Sequence, residues 1–116
     1  MRISTTRRHL ENNLTKQDAV VLNLQRACEA SIDIAIHIVK EKRLGLPKSA
    51  RESFDLLSEN SIIQPQTARR MKNMIGFRNV AVHDYQSLSL DIVIDIVLHR
   101  LEDFKEFLAE VDNDSD

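Results

Sequence analysis

An all-α fold, an up-down antiparallel bundle of four main helices, follows from three observations on this chain of 116 residues. It holds only two glycines and two prolines, too few turn-makers for many short strands. Leu, Ile, Val, Ala and charged residues dominate, the material of long helices. The apolar residues recur at helical spacing rather than alternating. A single domain spanning residues 1–116 is expected at this length, with a core that needs neither disulfides nor metal.

Residues 1–14 are ambiguous, either a short helix ending near Asn12 and Asn13 or irregular chain. Thr15 then reads as an N-cap, with Asp18 as its capping-box partner. A long helix follows from Gln17 to Arg43, with Leu24, Ala27, Ser31, Ile34 and Ile38 as one stripe. Val21, Cys28, Ile32, Ala35 and Val39 form a second stripe beside it. The arc is wide enough to serve the bundle and leave surface for a second subunit, and the sequence does not identify what covers the second stripe. Gly45 and Pro47 end the helix.

Ser49 and Glu52 form another capping box, opening a helix over about 49–60 with Phe54, Leu57 and Leu56 inward. Pro65 suits the first turn of a third helix, whose core candidates are Ala68, Met71, Met74, Ile75 and Val82. Gly76 is its weak point. Ser87 or Ser89 caps the last helix, about 89–111, with Leu90, Val93, Val97, Leu101, Phe104 and Leu108 as the inner stripe. The tail "VDNDSD" is expected to fray.

The net charge of −2 suggests no polyanion partner, but its distribution says more. From Asn60 to His83 there are basic residues (Arg69, Arg70, Lys72 and Arg78) and no acidic ones, whereas Asp91 to Asp116 is strongly acidic. The single cysteine, Cys28, excludes an intrachain disulfide and reads as a small buried hydrophobe. No apolar stretch suits a signal peptide, and none approaches the ~18 residues of a membrane span. A soluble, cytoplasmic protein with no membrane role is expected.

The stretch "RNVAVHDY", residues 78–85, begins in the basic segment. On a helix Asn79 and His83 share a face, as do Arg78 and Tyr85. Arg78 and His83 are separated by roughly 140° around the axis. One straight helix does not aim both at one small atom unless the long arginine swings round or the helix bends; a partner helix or a second copy of the chain could also close the geometry. The residue types suit phosphodiester chemistry. His83 moves protons near neutral pH. Arg78 forks onto phosphate oxygens. Asn79 orients the substrate or His83. RNA supplies its own 2′-hydroxyl nucleophile, so a base and a cation suffice without metal or cofactor. Arg69, Arg70 and Lys72 attract its backbone. The bland alternative is that Arg78 and His83 make surface salt bridges and that Tyr85 is a helix-end residue in water.

R-N-x-x-x-H-x-Y near the end of the third helix of an all-α chain this size resembles the HEPN superfamily with its R-x4-6-H signature. The chain is most similar to the HepT toxins of HEPN/MNT toxin–antitoxin pairs, in helix order, motif position and the stretch "TKQDAVVLNLQRACEASIDIA". The resemblance implies a metal-independent endoribonuclease toxin that acts as a homodimer with two motifs facing one cleft. Arg78 and His83 would carry catalysis with Asn79 in support, and transfer RNA or messenger RNA would be the target. Tyr85 would be the residue that a cognate MNT-type nucleotidyltransferase antitoxin modifies with AMP. A bulky anion there would block RNA and repel its phosphates.

Two rival readings stand beside this one. Asp33, His37 and Glu41 share a helix face, and Asp95 with His99 repeats the spacing, so a metal enzyme is conceivable. No histidine follows a glutamate by three residues as bundle di-iron sites require, so these residues read as a polar face. The second rival is a non-catalytic helical-bundle binding partner of a nucleotidyltransferase, against which the intact Arg78 and His83 argue.

Overall fold

The computed structural model describes residues 14–83 and 101–114. These form α1 (Leu14–Glu41), α2 (Ala50–Glu59), α3 (Pro65–His83) and α4 (Leu101–Asp114), with no strand among the described residues. The expected antiparallel helical bundle is what the chain builds. α1 packs on the other three helices, and α3 lies between α2 and α4.

Thr15 lies within α1 and is therefore helical rather than a cap. A cap preference of about 1 kcal/mol is easily outweighed once the helix propagates, because each added residue gains a hydrogen bond. The second stripe of α1 is core: Val21, Cys28, Ile32, Ala35 and Val39 are all buried. Its partners are thus helices of the same chain. Leu24 and Ser31 are buried with it, while Ala27, Ile34 and Ile38 pack at its margin. The buried Ser31 hydroxyl is satisfied locally, donating to the Ala27 carbonyl at 2.9 Å. Cys28 is buried too, its thiol donating to the Met74 carbonyl at 3.3 Å. Burial pushes this thiol up from 9.0 to about 11, against the pull of the Arg78 guanidinium and with a smaller push from Glu29.

α1 stops earlier than Gly45. Arg43 takes the left-handed conformation (φ 54°), and Leu44 N donates to Val39 O at 2.9 Å while Arg43 N donates to Lys40 O at 3.3 Å. This is the Schellman arrangement with an arginine where glycine is usual. Leu44 earns its place by packing against the core. Gly45 still needs to be glycine, with φ 144° and its missing Cβ 3.4 Å from Leu56 Cδ2. α2 ends in the same way. Ser61 has φ 61°, Ile62 N donates to Leu57 O at 2.9 Å, and Ser61 N donates to Ser58 O at 3.0 Å. Buried Ile62 and Leu57 supply the apolar contact of the motif.

α2 opens as expected: the Ser49 hydroxyl accepts from Glu52 N at 3.2 Å. Phe54 and Leu57 are fully buried and Leu56 is partly so. Pro65 opens α3, where Ala68, Met71, Met74 and Ile75 are buried as expected. Phe77 and Thr67 are buried as well. The side chain of Val82 lies outside the described residues.

α4 is rotated from the expected stripe. Phe104 is buried, but Leu101 and Leu108 are exposed, and Phe107 and Val111 take the inner positions. Both ridges are apolar at helical spacing, so the pattern alone does not choose between them. The Phe107 ring decides it, meeting Phe54 edge-on at 5.4 Å between centroids and 77° between planes. The helix also runs on through Asp112, Asn113 and Asp114 of the expected frayed tail. Leu90, Val93, Val97 and the caps Ser87 and Ser89 lie outside the described residues.

Ser61→Gly should relieve left-handed strain that exceeds glycine's entropy cost, raising stability by about 0.5 kcal/mol in a urea melt. At pH 8 a disulfide reagent should label Cys28 far more slowly in the folded protein than in the urea-unfolded chain, as followed by absorbance.

Candidate active site

α3 is the element that carries the motif, and its start is fixed from outside. The Glu110 carboxylate of α4 accepts from Gln64 N at 2.7 Å and from the Thr67 hydroxyl at 2.5 Å. A carboxylate at a helix N-terminus satisfies an orphan amide and opposes the helix dipole. From that clamp α3 runs unbroken through Gly76 to His83.

Counting back from His83 at alternating steps of four and three residues gives Asn79, Gly76, Lys72 and Arg69, which therefore share one face of α3. Arg78 lies about 100° to one side of Asn79. Arg78 and Asn79 are both half-buried. The Arg78 Nε is fully enclosed and has no hydrogen-bond partner among the described residues. Its charge is felt by the Cys28 thiol beneath α3. The side chains of residues 80–83 and the whole of Tyr85 lie outside the described residues, so His83 is placed by its helical backbone.

The basic residues of the segment have different surroundings. Arg69 is exposed. The Arg70 Nε lies 3.7 Å from the Oδ1 of Asp103, which is buried. The Lys72 Nζ lies 2.7 Å from Asp55 Oδ1 of α2. Two of the three cations expected to attract a polyanion thus face acidic partners within the bundle. A further cation enters from α2: the Arg51 Nη2 stands 3.8 Å from where a Cβ would lie on Gly76. Sequence reasoning missed Arg51, because nothing in its local pattern announces that its guanidinium crosses to α3.

Asp33, His37 and Glu41 lie on the solvent side of α1. His37 Nε2 is 3.0 Å from Glu41 Oε2, an exposed pair of the polar-face kind. Asp95 and His99 fall outside the described residues. Among the described residues no group of three His, Cys, Asp or Glu side chains is placed to hold a metal ion, and no helix is long and apolar enough to cross a membrane.

Comparison with known proteins places the chain in a family. The family described as Ribonuclease HepT-like matches residues 2–111. The chain is 53% identical over 98 residues to the mRNA nuclease HepT of Shewanella oneidensis, covering 84% of this chain and 74% of that protein. It is 26% identical over 90 residues to the tRNA nuclease HepT of Aphanizomenon flos-aquae, covering 78% of this chain and 61% of that one. Among solved structures, a toxin–antitoxin with AMP-PNP superposes with a TM-score of 0.85 at 49% identity, over 90% of this chain and 79% of the other. A tri-AMPylated Shewanella oneidensis HEPN toxin in complex with MNT antitoxin superposes with a TM-score of 0.84 at 50% identity, over 89% and 77%. With a matching fold, a motif-bearing third helix and relatives this similar, the chain belongs to the HepT-like ribonuclease family of HEPN toxins.

Proposed function

We propose that this chain is a single-domain, cytoplasmic, metal-independent endoribonuclease toxin that cuts messenger or transfer RNA as a homodimer. Arg78 and His83 of two copies line one cleft, with Asn79 in support. A cognate MNT-type nucleotidyltransferase antitoxin restrains the enzyme by attaching AMP to Tyr85. The observation that carries this reading is the state of Arg78: half-buried on α3, with an enclosed Nε that no described group engages. The inward Nε holds the guanidinium in place without an ion pair among the described residues, and the Nη atoms of this half-buried residue are left for an acceptor from outside the fold, where a phosphate oxygen fits their fork.

The chemistry follows from the substrate. His83 takes the proton of the RNA 2′-hydroxyl, and the resulting alkoxide attacks the adjacent phosphorus. The new bond joins the 2′-oxygen to phosphorus, and the bond to the 5′-oxygen breaks as that oxygen gains a proton. The products are a 2′,3′-cyclic phosphate and a free 5′-hydroxyl. Arg78 offsets the charge that gathers on the phosphoryl oxygens in the transition state. Asn79, one turn before His83 on the same face, holds the imidazole or the sugar in register. The second copy removes the difficulty that Arg78 and His83 of one helix diverge. AMP on Tyr85, two residues past His83, would place a phosphate where the substrate's own must lie.

Labelled transfer and messenger RNA incubated with antitoxin-free protein in EDTA should be cut, provided intact mass shows Tyr85 unmodified. His83→Ala and Arg78→Ala should each lower cleavage by about 10²–10⁴-fold with unchanged circular dichroism and dimer mass. Cutting at the wild-type rate by either variant would remove the mechanism. Tyr85→Phe should still arrest growth when its antitoxin is co-expressed. Full neutralisation of that variant would mean that binding, not modification, silences the toxin.

A further inference from the structure

The catalytic face of α3 does not account for how a length of RNA is held. Arg70 and Lys72, two of the expected anchors, already face Asp103 and Asp55. A polyanion spanning the site needs cations free to release their counterions.

Such cations lie elsewhere. A groove of about 740 Å³ runs between the end of α1 and the start of α2. Its walls are the apolar Ile36, Leu46 and Pro47, and its charged lining residues are Lys40, Arg43 and Lys48, with no acidic residue among them. All three cations are exposed, and none has an ion-pair partner among the described residues. Leu46 is 91% exposed, an apolar side chain presented to solvent beside the cations. The groove's backbone is set in advance: Arg43 is locked at φ 54° by the Schellman bonds, and Gly45 follows at φ 144°.

The groove ends one residue along α2 from a cation that stands over the catalytic face. Ala50 lines it, and the next residue, Arg51, reaches across to Gly76 on α3. Gly76 shares its face with Asn79 and His83, and His83 lies about 10 Å further along the axis. Arg51 is exposed and also lacks an ion-pair partner among the described residues. Lys40, Arg43 and Lys48 in the groove and Arg51 beside it thus trace a path of cations toward the helix that carries the motif. By contrast, the neighbouring groove on the other side of α1 is lined by Glu41 and Asp112 and carries no Lys or Arg.

We infer that this path is an RNA-binding subsite that takes the single-stranded nucleotides flanking the scissile phosphate, with Lys40, Arg43, Lys48 and Arg51 on the backbone. Ile36, Leu46 and Pro47 seat an unstacked base there, and the planar Arg43 guanidinium is available to stack on it. The groove volume suits a ligand of nucleotide size. This inference rests on the ribonuclease reading above and adds where the substrate lies.

The test uses full-length protein carrying His83→Ala, so that a labelled single-stranded RNA is bound without being cut. Affinity is measured by fluorescence anisotropy across a salt series, with and without Arg51→Gln alone or the set Lys40→Gln, Arg43→Gln and Lys48→Gln. Each lost phosphate contact should flatten the slope of log Kd against log salt by about 0.7. The full set with Arg51→Gln should flatten it by about 2–3 while thermal melting stays unchanged. With His83 restored, the variants should lose kcat/KM on long RNA and keep it on an RNA of a few nucleotides around the cut. Normal RNA binding with an unchanged slope would overturn the groove assignment and leave the ribonuclease reading standing. Variants that lose only the antitoxin would overturn it in favour of a protein-docking groove. A parent protein that neither binds nor cuts any RNA would overturn both.

Discussion

The direction of α3 governs this molecule, and one carboxylate holds its starting point. Glu110 sits on the last helix, yet its two oxygens close the first turn of the third, at 2.7 Å from Gln64 N and 2.5 Å from the Thr67 hydroxyl. Three residues earlier on α4, Phe107 meets Phe54 of α2. These contacts bind α4 to α2 and α3 at once. Because a helix is stiff, anchoring its base also sets where Asn79 and His83 emerge at its far end. A burial error of one ridge on α4 would move both anchors and turn the motif away from its place.

The electrostatics of the bundle have a similar logic. The segment from Asn60 to His83 contains no acidic residue of its own, but the fold supplies Asp55 and Asp103 to Lys72 and Arg70. Asp103 is 5% exposed, so Arg70 serves the needs of a buried carboxylate before those of any ligand. The Lys72–Asp55 pair lies nearer the surface, where such pairs contribute little to stability. Its main effect is to hold the Lys72 head toward α2. The cations without such partners, Arg51 and those of the α1–α2 groove, come from residues 40–51, a second basic stretch in which Glu41 is the only acidic residue. Net charge is therefore a poor guide to where this protein presents positive potential, and the acidic partners that the fold supplies to Arg70 and Lys72 distinguish one basic stretch from the other.

Two helix ends show a second kind of constraint. Arg43 and Ser61 both occupy the left-handed region, a conformation that costs a residue with a Cβ about 1–2 kcal/mol. Each is held there by a pair of capping hydrogen bonds and by an apolar residue, Leu44 or Ile62, drawn into the core. Core burial of the following residue thus compensates for the absence of glycine. That is why the chain can make sharp stops with only two glycines, and why α1 ends before Gly45 rather than at it.

Much of this protein is determined by the sequence alone. The helical class, the Ser49 cap, the Pro65 start, most of the core of α1 to α3 and the motif from Arg78 to Tyr85 are all local patterns, in which periodicity, capping chemistry and short spacings act within a few residues. The remainder involves residues that are distant in the chain. The covering of α1's second stripe, the choice of Phe107 over Leu108, the Glu110 clamp and the pairing of Arg70 and Lys72 all needed the tertiary structure. So did the arrival of Arg51 over Gly76. In each case the sequence offered two apolar ridges or several equivalent charges. Only close packing, which admits one filling of the interior, decided which ridge turned inward and which charges met.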